Sequence, residues 1–173
     1  MRKSLSMLYL FIFCVAVSCR DDGTATRSLI TNMDREFVLN AADEGLFQIS
    51  AGQVALNNGA SAEYAGFGQL MIDAYTASNQ QLQIFATSND LDIPTTLSDK
   101  RQQRLDTLSG RKGMELDTVY AAAVETTHAE TIVYFESQAG SVTDPELKKW
   151  IESRLPDLRQ YLDQARALSD SLN

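Results

Sequence analysis

The sequence is short of the residues from which small active sites are usually assembled. It holds one histidine, His128, and two cysteines, Cys14 and Cys19, in 173 residues. A single histidine rules out every metal motif that needs two, and two cysteines cannot make a disulfide scaffold or a paired set of thiolate ligands. Basic residues are scarce as well. Fifteen Lys and Arg face 23 Asp and Glu, a net charge of −8, which argues against a nucleic-acid partner, because that needs a clustered cationic face. There is no P-loop and no Gly-x-Ser-x-Gly elbow. Gly66-Phe67-Gly68 lacks both the third glycine and the preceding strand of a nucleotide fingerprint, and reads instead as close helix packing through small residues. Serine is plentiful, but one histidine is thin support for a nucleophilic triad. Pairs such as Asp21-Asp22 read as solvated charge.

The apolar content is ample for one domain, at 44% of residues. Its first concentration is at the amino terminus. Arg2 and Lys3 precede an apolar run from Leu5 to Val17, which as a helix reaches only ~20 Å, short of the ~30 Å hydrocarbon core. Residues 1–18 therefore read as a signal peptide. The run ends in Ala16-Val17-Ser18-Cys19, which resembles a bacterial lipobox and makes Cys19 the expected lipidated first residue of the mature chain. An ordinary secretory peptidase would also accept Ala16 and Ser18 as its small pair. Residues 19–31, with Arg20 to Arg27 polar throughout, read as a tether. Cleavage removes two basic residues and moves the net charge from −8 to −10. Lipid rather than charge would then hold the acidic domain at a membrane. Cys14 leaves with the signal, so no intrachain disulfide remains.

From residue 32 onward the pattern is helical, and residues 32–173 form the expected domain. The first segment, about Asn32 to Asn58, carries Phe37, Ala41, Glu44, Gln48 and Ala51 at three- and four-residue spacing. The second, about Ala60 to Asn89, carries Tyr64, Phe67, Met71, Tyr75, Leu82 and Phe85. Pro94 bars further helix, and Ser98 to Leu108 reads as a short connecting helix. The third long segment, about Lys112 to Ala139, carries Leu116, Val119, Tyr120, Val124, His128, Ile132 and Phe135. Asp144-Pro145-Glu146 is a start signal for the fourth, which runs to about Ser169 on Leu147, Ile151, Leu155, Leu158, Leu162 and Ala165. Pro156 is expected to bend or break it. Four segments of this length predict an all-α fold, an antiparallel four-helix bundle with one short extra helix.

Glu125-Thr126-Thr127-His128 is a Glu-x-x-His, the spacing that puts a carboxylate and an imidazole on one inward face in di-iron bundles. That centre needs a second such motif, which a chain with one histidine cannot supply. Gln48, Tyr75, His128 and Tyr161 each fall near a helix midpoint, so inward-facing side chains at these positions predict one polar layer, with Glu44, a turn before Gln48, and Glu125, the carboxylate of the motif, joining it. The run Lys100 to Arg104, with Arg111-Lys112, is a modest basic patch, read either as a dock for an acidic partner or as an exposed face.

The order Asp34-Arg35-Glu36-Phe37-Val38, Ala41-Ala42, Gly45, Leu70-Met71-Ile72, Leu116-Asp117-Thr118-Val119-Tyr120, His128 and Leu155-Pro156 before Tyr161 resembles a bacterial family. It is the ferritin-like, secreted domain of unknown function, whose members are often described as predicted outer-membrane or periplasmic proteins. The resemblance implies a ferritin-like bundle on the outer side of the cell. It also implies a Glu at position 48 and histidines at positions 75 and 161, where this chain has Gln48, Tyr75 and Tyr161; only His128 matches.

Three functions are compatible with these residues. The first is a lipid-anchored, non-enzymatic domain of the bacterial envelope, held by Cys19 in the outer membrane, facing periplasm or exterior, and acting through a protein partner with no cofactor. The second is a metal-binding or redox protein with a reduced ligand set, using Glu44, Glu125, His128 and the tyrosines. The third, adhesion or small-molecule capture, requires a cavity between helices.

Overall fold

The computed structural model describes residues 30–171. The signal segment, Cys19 and nearly all of the tether lie outside the described residues. Within them the chain forms five helices: α1 (Asn32–Asn58), α2 (Ala62–Ser88), α3 (Asp99–Ser109), α4 (Gly113–Ala139) and α5 (Pro145–Asp170). The only β pairing among the described residues is an isolated bridge between Gly59 and Gly113.

Helix boundaries follow local chemistry. Thr31 and Asp34 form a reciprocal capping box that starts α1. Ser61 caps α2 by accepting from the Glu63 amide, which moves its start two residues past Ala60. Asp144 caps α5, accepting from the amides of Glu146 and Leu147 at 2.9 Å each, with Pro145 in the first turn. Gly113, at φ +62°, takes the left-handed conformation that lets the chain reverse from α3 into α4. The expected break at Pro156 does not occur, and α5 is continuous through it. Pro156 and Glu152 both lie on the exposed side of α5, where water can take the place of the helical donor that the Glu152 carbonyl loses.

α1 packs chiefly on α2 and α4 chiefly on α5; the two pairs meet through α1 with α4 and, more lightly, α2 with α5. Both pairs are antiparallel. On the first, Gly52 faces Gly68 so closely that a Cβ on Gly68 would stand 2.7 Å from the Gly52 carbonyl oxygen. Gly68 is thus the packing glycine of Gly66-Phe67-Gly68, whereas nothing approaches Gly66. On the second, Arg159 reaches Glu136 at 2.7 Å and Arg166 reaches Glu125 at 3.5 Å. The core is the inward stripes: Phe37, Phe47, Met71, Leu82, Leu116, Val124, Ile151 and Leu158 are all essentially inaccessible to solvent. Burying stripes of this size, at ~25 cal/mol per Å² of apolar surface, is what holds the helices together.

Two buried carboxylates tie helix ends to distant loops. Asp34 accepts from the Thr143 amide at 2.7 Å and hydroxyl at 2.8 Å, pinning the entry of α5 to that of α1. Asp117, on α4, accepts from the amides of Ala60 and Ser61, pinning the turn between α1 and α2. α3 is attached differently. Leu108 is its only buried residue, Leu105 packs beside the core, and Arg101 ties its first turn to Asp43 at 2.9 Å and to Glu44, while the pair of Arg104 with Glu130 at 3.0 Å is exposed.

Candidate functional site

The middle of the core contains a connected set of polar side chains. His128 is fully buried on α4, and the Val124 carbonyl lies 2.9 Å from its Nδ1. A carbonyl only accepts, so Nδ1 carries the proton and Nε2 of the neutral ring is an acceptor. Tyr75 Oη, 3.1 Å from Nε2, therefore donates to it. Burial pulls the His128 imidazole down to about 4, the Val124 bond opposing only in part, so the ring is neutral at physiological pH. Burial, reinforced by the charge of Glu44, pushes the Tyr75 phenol well above its ordinary value, which keeps it protonated as a donor.

The set continues into α1. Gln48 Nε2 donates to Thr127 Oγ1 at 2.9 Å and to Glu44 Oε1 at 2.7 Å, and Thr127 Oγ1 donates to the same Val124 carbonyl at 3.1 Å. The other oxygen of Glu44 accepts from Arg101 of α3, which also holds Asp43. Burial pushes the Glu44 carboxyl up, and the Arg101 charge draws it only part of the way back. A hydrogen-bonded path thus runs from the largely covered Arg101 at the edge of the core through Glu44, Gln48, Thr127 and the Val124 carbonyl to His128 and Tyr75. Tyr161 closes the far side by ring contact, edge-on to His128 at a centroid distance of 5.9 Å and 6.5 Å from Tyr75.

Of the six residues expected in this layer, Glu44, Gln48, Tyr75, His128 and Tyr161 lie together, and Glu125 does not. Glu125 is half-buried at the seam of α4 and α5, with its oxygens toward Arg166 at 3.5 Å and Ser169 at 3.4 Å. Glu-x-x-His therefore does not act as a pair here: its histidine turns into the core and its carboxylate to the edge of the neighbouring helix. Two members of the path were missed. Thr127 was inside the motif but between the residues the spacing emphasises. Arg101 belonged to the basic run read as a docking or exposed face; it is instead an internal counter-charge, and only its length and the acidity of Asp43-Glu44 hinted at that.

The donor set does not fit a resident metal. Both His128 nitrogens are engaged within the fold, and Glu44 is neutralised by Arg101. Among the described residues no three His, Cys, Asp or Glu side chains are grouped to hold an ion. The one buried polar atom of the layer with no partner among the described residues is Gln48 Oε1. No helix among the described residues is long and apolar enough to cross a membrane.

No curated protein and no solved structure matches this chain. A family match extends over residues 20–168, from the tether to the last turn of α5, and by it the chain belongs to the family described as "Domain of unknown function (DUF4142)".

Proposed function

We propose that this protein is a lipid-anchored domain of the bacterial cell envelope, folded as a ferritin-like four-helix bundle, that works by interaction rather than by turnover. The observation that carries the non-catalytic reading is the engagement of His128. A general base or metal ligand needs a lone pair facing a reactant, and Nε2 is given to a buried tyrosine while Nδ1–H is given to a backbone carbonyl. The polar layer then serves the fold, fixing how α1, α2, α4 and α5 register on one another, as buried polar groups do when their bonding is specific. Support for the anchor is the sequence Ala16-Val17-Ser18-Cys19 behind a short apolar run, with a polar tether leading to α1.

Two measurements test the reading. Cys19→Ser is expected to move the processed protein from the membrane to the soluble fraction; continued membrane association after complete cleavage would overturn the anchor. Protein purified without chelator is expected to carry well under one equivalent of metal and to melt at the same temperature with added iron or zinc. Near-stoichiometric metal, lost in His128→Ala, would overturn the structural role and favour a metal-binding protein with a reduced ligand set.

A further inference from the structure

Two hollows flank α3, where it lies over the meeting of α1 and α4. One, of about 290 Å³, is polar and bordered by Asp43, Glu44, Lys100 and Glu130. The other, of about 360 Å³, is an open apolar groove between α3 and α4, with Phe47 and Leu108 at its base and Val119, Ala122 and Ala123 along one wall. Arg104 borders both. We propose that the apolar groove binds the alkyl chain of a medium-chain monocarboxylate, whose carboxylate is taken by Arg104.

Three observations select that ligand. First, the wall is built of short side chains over buried Phe47 and Leu108, so the groove presents apolar surface that α3, resting mainly on α1, leaves uncovered. A linear alkyl chain can lie along such an apolar groove, and each methylene buried there strengthens binding by up to about fourfold. Second, no acidic residue lines the groove, and Arg104 is its one charged group, so a single negative charge at one end of the ligand is matched and a positive one is repelled. Third, Arg104 is free to exchange partners. Its pairing with Glu130 is solvent-exposed, with side chains 33% and 56% accessible, and exposed ion pairs are weak. The inference is separate from the envelope reading above, since neither Cys19 nor His128 takes part in the groove.

Calorimetric titration of the purified protein in detergent-free buffer tests it with octanoate, 1-octanol and octylamine. Octanoate is expected to saturate one site, 1-octanol to bind at least tenfold more weakly, and octylamine not to bind. Arg104→Gln should bring octanoate down to the level of 1-octanol while leaving 1-octanol unchanged, and Glu130→Gln, by freeing Arg104, should strengthen octanoate two- to threefold. Ala123→Leu should fill the groove and abolish binding of both. Ala122→Leu, at an exposed position, makes the same obstruction without touching the core. No saturable octanoate binding, equal binding of octylamine, or unchanged affinity in folded leucine variants would each overturn the proposal.

Discussion

The polar groups at the ends of the helices and those at their middle meet the same burial problem with unequal success. At the end of α1, Asp34 collects donors from the amide and hydroxyl of Thr31, the amide and hydroxyl of Thr143 and the amide of Asp144. Helix ends and turns expose backbone N–H groups with no helical acceptor, so one carboxylate there satisfies several at once. In the middle there are no spare amides, because every backbone N–H is already used by its own helix. Side chains from α1, α2 and α4 must satisfy one another, and the match falls short at Gln48 Oε1 and, on either side of it, at Asn79 Oδ1 and Tyr120 Oη. The end cluster should therefore stabilise strongly, and the central layer should yield more specificity than stability.

That contrast can be broken at three points. The largest effect is expected at Asp34→Ala, which strands several buried donors and should lower unfolding free energy by about 4 kcal/mol at pH 7, measured by urea denaturation. Burial alone would raise the Asp34 carboxyl, but the bonds from Thr31 and Thr143 outweigh it and hold the group at about 2. Its stabilisation is thus complete above the ordinary carboxylate value and is lost as pH falls toward 2, so the gap between wild type and variant should narrow over that interval. A gap independent of pH would remove the carboxylate from the explanation.

His128 comes next. Its folded value of about 4 lies below the ordinary 6.5, so the unfolded chain takes up the proton first and the folded state loses stability as pH drops from 6.5 to 4. The loss should be about 3 kcal/mol, and His128→Gln should abolish it; a wild-type stability profile flat across that window contradicts a buried neutral imidazole. The smallest change is expected at Gln48→Met. It forfeits two donated bonds and leaves Glu44 Oε1 without its donor, but also removes the unpartnered oxygen, and should cost about 2 kcal/mol. A cost near that of Asp34→Ala would mean the middle is as well satisfied as the ends.

The helices were legible because their stripes are periodic and their ends are marked. Phe37 through Ala51, Tyr64 through Leu82 and Leu147 through Ala165 read as inner faces and are buried, save Leu155, which is only partly so, and Asn58-Gly59, Gly110, Gly140 and Asp144-Pro145 stand at helix boundaries. The layer was legible for a similar reason: midpoint positions of antiparallel helices share a height, which brought Gln48, Tyr75, His128 and Tyr161 together. Glu125 was misread because three-residue spacing places two side chains on the same half of a helix but not against the same neighbour, and Arg166 of α5 claims this one. Asp34 and Asp117 were read only as letters of a motif, since their partners at residues 143 and 60–61 are more than fifty positions away.

Local order, then, was settled by the chain itself. Periodicity, capping residues and glycines act within a few residues of one another, and their energetics are readable in a line of text. The pairing of partners was decided only when the helices packed. Which atom meets Arg101, which side of His128 faces Tyr75 and where α3 leaves α4 uncovered depend on contacts between residues far apart in sequence, and those distances exist only once the helices have docked.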